Sequence, residues 1–296
     1  MRDYNVVCIW QGLGNQMFQY AFARSLAIHT GRDVYIDAES LNKKIIGEEL
    51  GSNTIRDYGL SNFNITLKQV DSLRRCLWNY TRKDKWYYEM VEILCEKGKY
   101  PYKYYSQKGF DDISGYKPSL DEIESNTYIK GWFQSEDYFL GIRNILLNEF
   151  TLKNSIKIPK KIKEIILKTE SISVHIRRGD YKKNNMVLSK DYYLKAINLI
   201  SSKVVHPVWI IFSDDIEFVK NNYFFEGKAV FIDDSLGMRD FEQLMLMSKC
   251  KHNIIANSTF SWWGAWLNKN RNKYVVAPRK WFSSQRNIIP VEWIKI

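Results

Sequence analysis

Several patterns that would settle the class of this chain quickly are missing from it. Its four cysteines, Cys8, Cys76, Cys95 and Cys250, are far apart and form no close pair. That spacing argues against a zinc site or a disulfide framework and for free buried thiols in a reducing compartment. The four histidines, His29, His175, His206 and His252, make no His-Glu-x-x-His pair. No apolar run approaches the ~18 residues that a spanning helix needs, and the first residues lack the basic-then-apolar layout of a signal peptide. The expected place is the cytoplasm, with peripheral contact at the inner membrane face left open. The lysine motif of a phosphate-binding loop is absent as well.

What is present is a chain of 296 residues, enough for one large or two medium domains. Hydrophobic residues at 45% and charged ones at 26% are ordinary for a globular protein, but a net charge of +11 is not. It favours an anionic partner: nucleic acid, a phosphorylated ligand or an acidic membrane surface.

The first fifty residues read as β-α-β. Val6 to Trp10 forms a strand, Gln16 to Thr30 a helix stopped by Gly31, and Val34 to Asp37 a second strand. From about 70 to 140 the chain is basic and aromatic, with Trp78, Tyr80, Trp86, Tyr87, Tyr88, Tyr102, Tyr104 and Tyr105. Within it "YIKGWFQSEDYF" (128–139) reads as a strand leading into a helix. Farther on, apolar runs at 172–176, 208–212, 229–232, 253–256 and 274–277 alternate with helical stretches at 190–202, 215–222, 238–250 and 260–269. Short apolar strands separated by helices mean a parallel sheet covered on both faces. The polar stretch "TLKNSIKIPKK" (151–161) separates the halves, giving domains at 1–150 and 151–296. The expected class is α/β, two Rossmann-like domains facing a cleft, where paired α/β domains take their ligands.

Three strand ends of the second domain carry polar clusters: His175, Arg177, Arg178 and Asp180; Ser213, Asp214 and Asp215; and Asn257, Ser258 and Thr259 before a helix. Each suits a nucleoside diphosphate. Arginine offers a planar fork of donors that grips phosphate oxygens bidentately. Ser258 and Thr259 open a helix, whose unpaired N–H groups favour an anion. An aspartate at a strand end can accept from the N1–H and N2–H₂ of guanine. Taken singly, each cluster also has a plain reading: a surface ion pair between Arg177 or Arg178 and Asp180, helix caps at Asp214, Asp215 and Ser258, a satisfied core histidine at 175. Trp262, Trp263 and Trp266 read as core anchors. That all three clusters fall at strand ends of one sheet favours the functional reading.

The stretch "GLGNQM" (12–17) has two readings. One is a dinucleotide loop with Asp37 closing the second strand, although Met17 stands where the third glycine belongs; this keeps a Rossmann-type oxidoreductase as an alternative. The other is a polar loop whose Asn15 and Gln16 project toward a ligand held by the second domain. A basic nucleic-acid-binding protein is a further alternative, but it leaves the strand-end clusters idle.

"GLGNQMFQYAFA" (12–23), "HIRRGDY" (175–181) and "NSTFSWWGAWL" (257–267), with "GWFQSEDYF" (131–139) and "FSDD" (212–215) between them, resemble the bacterial-type α-1,2-fucosyltransferases that use GDP-L-fucose. The likeness spans roughly residues 6 to 282. Gln11 stands where that family usually has glycine, and position 214 varies among its members. The resemblance implies a GT-B-like glycosyltransferase that moves L-fucose from GDP-β-L-fucose to the 2-hydroxyl of a β-galactoside glycan with inversion. It implies no cofactor and no metal, in keeping with a chain without an Asp-x-Asp pair, and no nucleic-acid partner. A lipid-linked glycan at the membrane stays open as acceptor. Carried onto this chain, it puts Arg177 on the β-phosphate and Arg178 as a brace of its loop. His175 and Asp215 fall on guanine, and Ser258 and Thr259 on the phosphates. Gly14 and Asn15 become donor contacts from the first domain. Candidate bases for the acceptor proton are Asp37 and Glu136, and the resemblance does not choose between them.

Overall fold

The computed structural model describes residues 3–39, 41, 56–71, 103–107, 119–281 and 288–296. The chain divides into two compact units, Met1–Lys153 and Asn154–Ile296.

In the first unit, strand β1 (Tyr4–Cys8) leads into helix α1 (Leu13–Thr30), followed by β2 (Asp33–Asp37), β3 (Lys103–Ser106), β4 (Thr127–Lys130) and helix α2 (Arg143–Glu149). The described strands form a parallel sheet in the order β2-β1-β4-β3. Every residue of β1 is buried, as a central parallel strand requires. α1 ends at Gly31, whose φ of +67° lets its N–H turn back to the Ala27 carbonyl at 3.0 Å. A residue with a Cβ adopts that conformation only at a cost.

One expectation needs correcting here. The stretch after β4 does not become a helix at once. Phe133 takes a φ of +49° and stacks its ring on Phe22 at 3.8 Å. That backbone interrupts any helix, so only the short turn Glu136–Tyr138 follows, and α2 starts at Arg143. The division between the two units falls within the stretch 151–161, after Lys153, and the start of that stretch is tied to the first unit. Leu152 bridges to Phe63, and Lys153 Nζ donates to the Ser61 carbonyl at 2.8 Å. The chain then enters helix α3 (Lys160–Lys168) directly after Pro159. Proline's fixed φ suits a helix start. Of the aromatic middle stretch, the six residues from Trp78 to Tyr102 lie outside the described residues, as do Cys76 and Cys95. Cys8 and Cys250 are free and buried, and burial pushes the Cys8 thiol up to about 11.

The second unit runs α3, β5 (Glu170–Ile176), α4 (Lys190–Ser201), β6 (Pro207–Ser213), α5 (Ile216–Asn222), β7 (Lys228–Ile232), α6 (Asp240–Met247), β8 (His252–Ile254), α7 (Thr259–Trp266), β9 (Val275–Ala277) and β10 (Ile294–Lys295). The six strands are parallel in the order β10-β9-β8-β5-β6-β7. Counted along the chain, this is the strand order of the doubly wound dinucleotide-binding sheet.

The alternation of side chains explains why both faces are covered. Trp209 and Ile211 of β6 join Ile172, Val174 and Ile176 against Tyr193, Ile197 and Ile200 of α4. Val208, Ile210 and Phe212 point the other way, onto Ile165 and Ile166 of α3 and Leu246 and Met247 of α6. Each large apolar side chain so buried contributes about 1.5–3 kcal/mol. Trp262, Trp263 and Trp266 are core anchors, none more than 1% exposed. Among the described residues no helix is long and apolar enough to cross a membrane.

Candidate functional site at the carboxyl edge of the second sheet

β5 and β8 are adjacent, yet the chain leaves β5 toward β6 and leaves β8 toward β9. Their loops therefore diverge, and the crevice at that switch of direction is where open parallel sheets bind ligands. His175 to Asp180 leave β5 there, and Asn257 to Thr259 lead from β8 into α7. Ile176 of β5 is in register with Ser213 of β6, which brings Ser213–Asp215 alongside. The three clusters expected from the sequence thus share one edge.

The charges are laced together. Arg177 places Nη2 on Asp180 Oδ1 at 2.7 Å and Nη1 on Asp214 Oδ2 at 3.0 Å. Arg178 lays its guanidinium 3.2 Å above the centre of the Phe218 ring and puts Nε on Asp215 Oδ2 at 3.1 Å. Lys182 reaches the same oxygen at 2.5 Å. These cations, Lys182 first, hold the Asp215 carboxyl below the usual range. Ser213 donates to the Ile176 carbonyl at 2.7 Å and accepts from the Asp215 N–H at 3.0 Å, fixing this turn to β5.

Beneath this layer lie buried groups. His175 follows Ser171 and Ser173 on the face of β5 that meets α3 and α6, its ring 5.6 Å from that of Phe260. Burial first, and Arg177 second, push its pKa down to about 3. It is neutral near pH 7, and its Nδ1 is buried with no hydrogen-bond partner. Asn257 donates Nδ2 to the Met186 carbonyl at 2.9 Å, while its Oδ1 is buried without a partner. Such atoms cost about 1–3 kcal/mol when left unpaired, so a pair of them at one strand-end crevice points to a ligand. Tyr181 ties the two loops, donating to the Asn257 carbonyl at 3.1 Å and sharing a hydrogen bond with Ser258. Burial pushes this phenol up to about 12, so it stays a donor. Ser258 opens α7 without using its hydroxyl as a cap, and Thr259 is half-buried in the first turn.

The first unit holds the remaining expected residues. Gly14 is buried in the first turn of α1, and Asn15 accepts from Gln134 Nε2 at 2.9 Å. Gln16, expected to project from the loop, is instead 1% exposed. It donates to the carbonyls of Gln11 and Asp57 at 2.8 Å each and accepts from the Gly59 N–H at 3.0 Å. The amide stitches the glycine loop to its own unit. Asp37 is 3% exposed and accepts from the Tyr128 hydroxyl and the Glu39 N–H, both at 3.0 Å. Glu136 is half-buried in its turn. Sequence reasoning placed Asn257 only as a member of a strand-end cluster and gave no role of their own to Tyr181 or Gln134. A tyrosine four residues beyond Arg177 was the available sign for Tyr181. Among the described residues no three His, Cys, Asp or Glu side chains converge in a way that could hold a metal ion.

Comparison with known proteins places this geometry. Residues 4–296 match glycosyl transferase family 11. The chain is similar to the O-antigen biosynthesis glycosyltransferase WbnK of Escherichia coli, 31% identical over 98% of this chain and 99% of that protein. It is similar to an α-1,2-colitosyltransferase of Escherichia coli, 30% identical over 96% of each. More distant is galactoside α-(1,2)-fucosyltransferase 2 of Hylobates lar, 23% identical over 89% of this chain and 68% of that protein. In fold it resembles a mutant FUT1 of Arabidopsis thaliana solved in complex with GDP, with a TM-score of 0.52, 13% identity and coverage of 94% and 70% of the two chains. The chain is a member of glycosyl transferase family 11, with the paired parallel α/β units of a GT-B-like glycosyltransferase.

Proposed function

We propose that this enzyme transfers L-fucose from GDP-β-L-fucose to the 2-hydroxyl of a terminal β-galactoside, making an α-1,2 linkage with inversion. The observation that carries the reading is the β5–β8 crevice, where Arg177 leaves β5 and the nearby His175 Nδ1 and Asn257 Oδ1 are buried without partners. The unit from residue 151 onward holds the donor, and residues 1–150 serve the acceptor. The neutral imidazole of His175 reads one edge of guanine. Asp215, with both cations on Oδ2, turns Oδ1 to the guanine N1–H and N2–H₂. Arg177 takes the β-phosphate, with Ser258, Thr259 and the first N–H groups of α7 beside it.

In the reaction the bond from fucose C1 to the β-phosphate oxygen breaks as the acceptor O2 bonds to C1 from the opposite face. The electron pair leaves on GDP, and the acceptor proton passes to a base. Preorganised donors aimed at the departing oxygen supply the largest catalytic effect, and here they are protein groups, so no metal is needed. Of the two candidate bases we favour Glu136. Asp37 is buried and already accepts two hydrogen bonds, whereas Glu136 is half-exposed. Gly14 and Asn15 are the first unit's candidates for donor contacts. GDP should raise the melting temperature where UDP and NAD do not, and turnover should survive excess EDTA. A larger shift with UDP or NAD refutes the nucleotide assignment, and magnesium-restored activity refutes the metal-free reading.

A second donor is favoured by one observation: at 30% identity, the colitosyl-transferring relative exceeds the fucosyl-transferring one at 23%. Colitose is L-fucose without its 3-hydroxyl. Turnover of GDP-fucose against GDP-colitose, with lactose, N-acetyllactosamine and Gal-β-1,3-GalNAc as acceptors, decides between them. The acceptor encountered in the cell, soluble or lipid-linked at a membrane face, emerges from the same screen with and without vesicles.

A further inference from the structure

Asp214 follows Ser213, the last residue of β6, just as Arg177 follows Ile176, the last residue of β5, and those two last residues are in register. The two side chains are therefore delivered side by side by the sheet itself. Asp214 uses both oxygens. Oδ2 meets Arg177 Nη1 at 3.0 Å, and Oδ1 accepts the backbone N–H of Arg178 at 2.8 Å. The fit is close: a Cβ on Gly179 would stand 2.5 Å from Oδ2. Asp180 holds Arg177 differently. It sits three residues along the same loop, meets Nη2 through one oxygen, and has a side chain 35% exposed against 24% for Asp214.

Three cations, Arg177, Arg178 and Lys182, are matched here by three carboxylates, Asp180, Asp214 and Asp215. In a site so balanced, an incoming diphosphate is held more strongly if one carboxylate yields its place on Arg177. We infer that Asp214 is a positioning residue, aiming the Arg177 guanidinium at the diphosphate, and that Asp180 is the partner the diphosphate replaces. This rests on the reading that Arg177 receives the β-phosphate. Asp214 stays because releasing it breaks two charge-assisted hydrogen bonds across two strands. Asp180 lets go because water can take its place.

The test uses the full-length protein and measures GDP affinity, guanosine affinity, kcat and KM for D214N, D180N, R177K and the double variant D214N/R177K. Partners that orient metal ligands cost about 10–100-fold when replaced, and a carboxylate that orients a phosphate-binding arginine should act on a similar scale. D214N should lose GDP affinity and kcat on that scale with guanosine affinity unchanged, since guanosine has no diphosphate. D180N should bind GDP as tightly as the wild type or more tightly. In the R177K background D214N should add little. Losses that instead multiply to within about twofold overturn the inference, as does a D214N variant that keeps wild-type kcat and GDP affinity. Loss of guanosine and GDP affinity together overturns it too, because it marks a general collapse of the site. Should D214N not fold, D214E keeps the charge but lengthens the arm by a methylene, and the same GDP-selective loss is required of it. If R177K itself leaves GDP affinity and turnover intact, the assignment of Arg177 fails, a result separate from any behaviour of Asp214.

Discussion

The two parallel sheets end in polar loops of opposite character. At the carboxyl edge of β1 the glycine loop consumes its own polar groups. Gln16 makes three hydrogen bonds to backbone, and Gln19 accepts from the Trp10 N–H at 2.9 Å and donates to the Gly131 carbonyl at 3.3 Å. At the edge of β5 and β8, by contrast, His175 Nδ1 and Asn257 Oδ1 are buried without partners, beside charges that pair with one another. A glycine-punctuated strand-to-helix turn therefore does not by itself mark a nucleotide site. What marks one is buried polarity left unsatisfied at the switch point of the sheet, where a ligand can pair it.

The comparison breaks most visibly at Arg177. Lysine keeps the charge and loses the planar fork, and loss of one well-placed donor costs about 10²–10³ in kcat. R177K should fall by at least that factor, measured as initial rates with saturating donor. R178K should lose less turnover and more stability, because its guanidinium lies flat on Phe218.

The next effect belongs to the first edge and is one of stability alone. Gln16→Ala removes a buried amide that donates to the Gln11 and Asp57 carbonyls and accepts from the Gly59 N–H, leaving Gly59 N–H and the Asp57 carbonyl only their bond to each other, at about 0.5–1.5 kcal/mol for each hydrogen bond lost. Denaturant unfolding should show a loss on that scale, while GDP affinity of the folded fraction is unchanged. A Gln16→Ala protein of full stability that no longer binds GDP would move the nucleotide to the first unit.

His175 sharpens the contrast through pH. Its folded pKa is depressed to about 3 against an ordinary 6.5, so the fold favours the neutral ring. The stability tied to that preference is fully present above pH 6.5 and is lost as pH falls from 6.5 toward 3. At pH 5 the loss is about 2 kcal/mol, at 1.36 kcal/mol per pKa unit. His175→Asn, measured without nucleotide, should lose less stability than the wild type between pH 7 and pH 5. Identical pH profiles would show that the ring is solvated.

How far the sequence foretold this varies with the physics. The second sheet was legible because all its strands but one are short stretches with apolar residues set between helical ones, Val208–Phe212 of β6 being the clearest apolar run. β10, only Ile294–Lys295, carries no pattern to read. α3 was hidden because its lysines resemble a linker, although Ile162, Ile165 and Ile166 keep the helical stripe. At the site, the strand-end clusters were visible but their pairings were not. That Asp214 meets Arg177, and Asp215 meets Arg178, depends on the register of β5 against β6. Nothing in the chemistry of two adjacent aspartates reveals it. Gln16 misled for a related reason: a glutamine beside a glycine loop looks available until Asp57 and Gly59 are brought to it from forty residues away.

The smallest expected effect tests the one place where the first edge resembles the second. Gln134 Oε1 is buried without a partner, while its Nε2 donates to Asn15 Oδ1 at 2.9 Å. An amide pair with an acceptor left over suits the hydroxyls of a sugar better than a phosphate, since that leftover oxygen can only accept. Asn15→Ala releases the Gln134 amide. Turnover should then fall by about tenfold, with the change in kcat rather than in GDP affinity, the pattern of an interaction made mainly in the transition state. Gln134→Ala should match it, because each amide orients the other. A variant in which GDP affinity falls as far as kcat would make the pair part of the nucleotide site, and the contrast between the two edges would not hold.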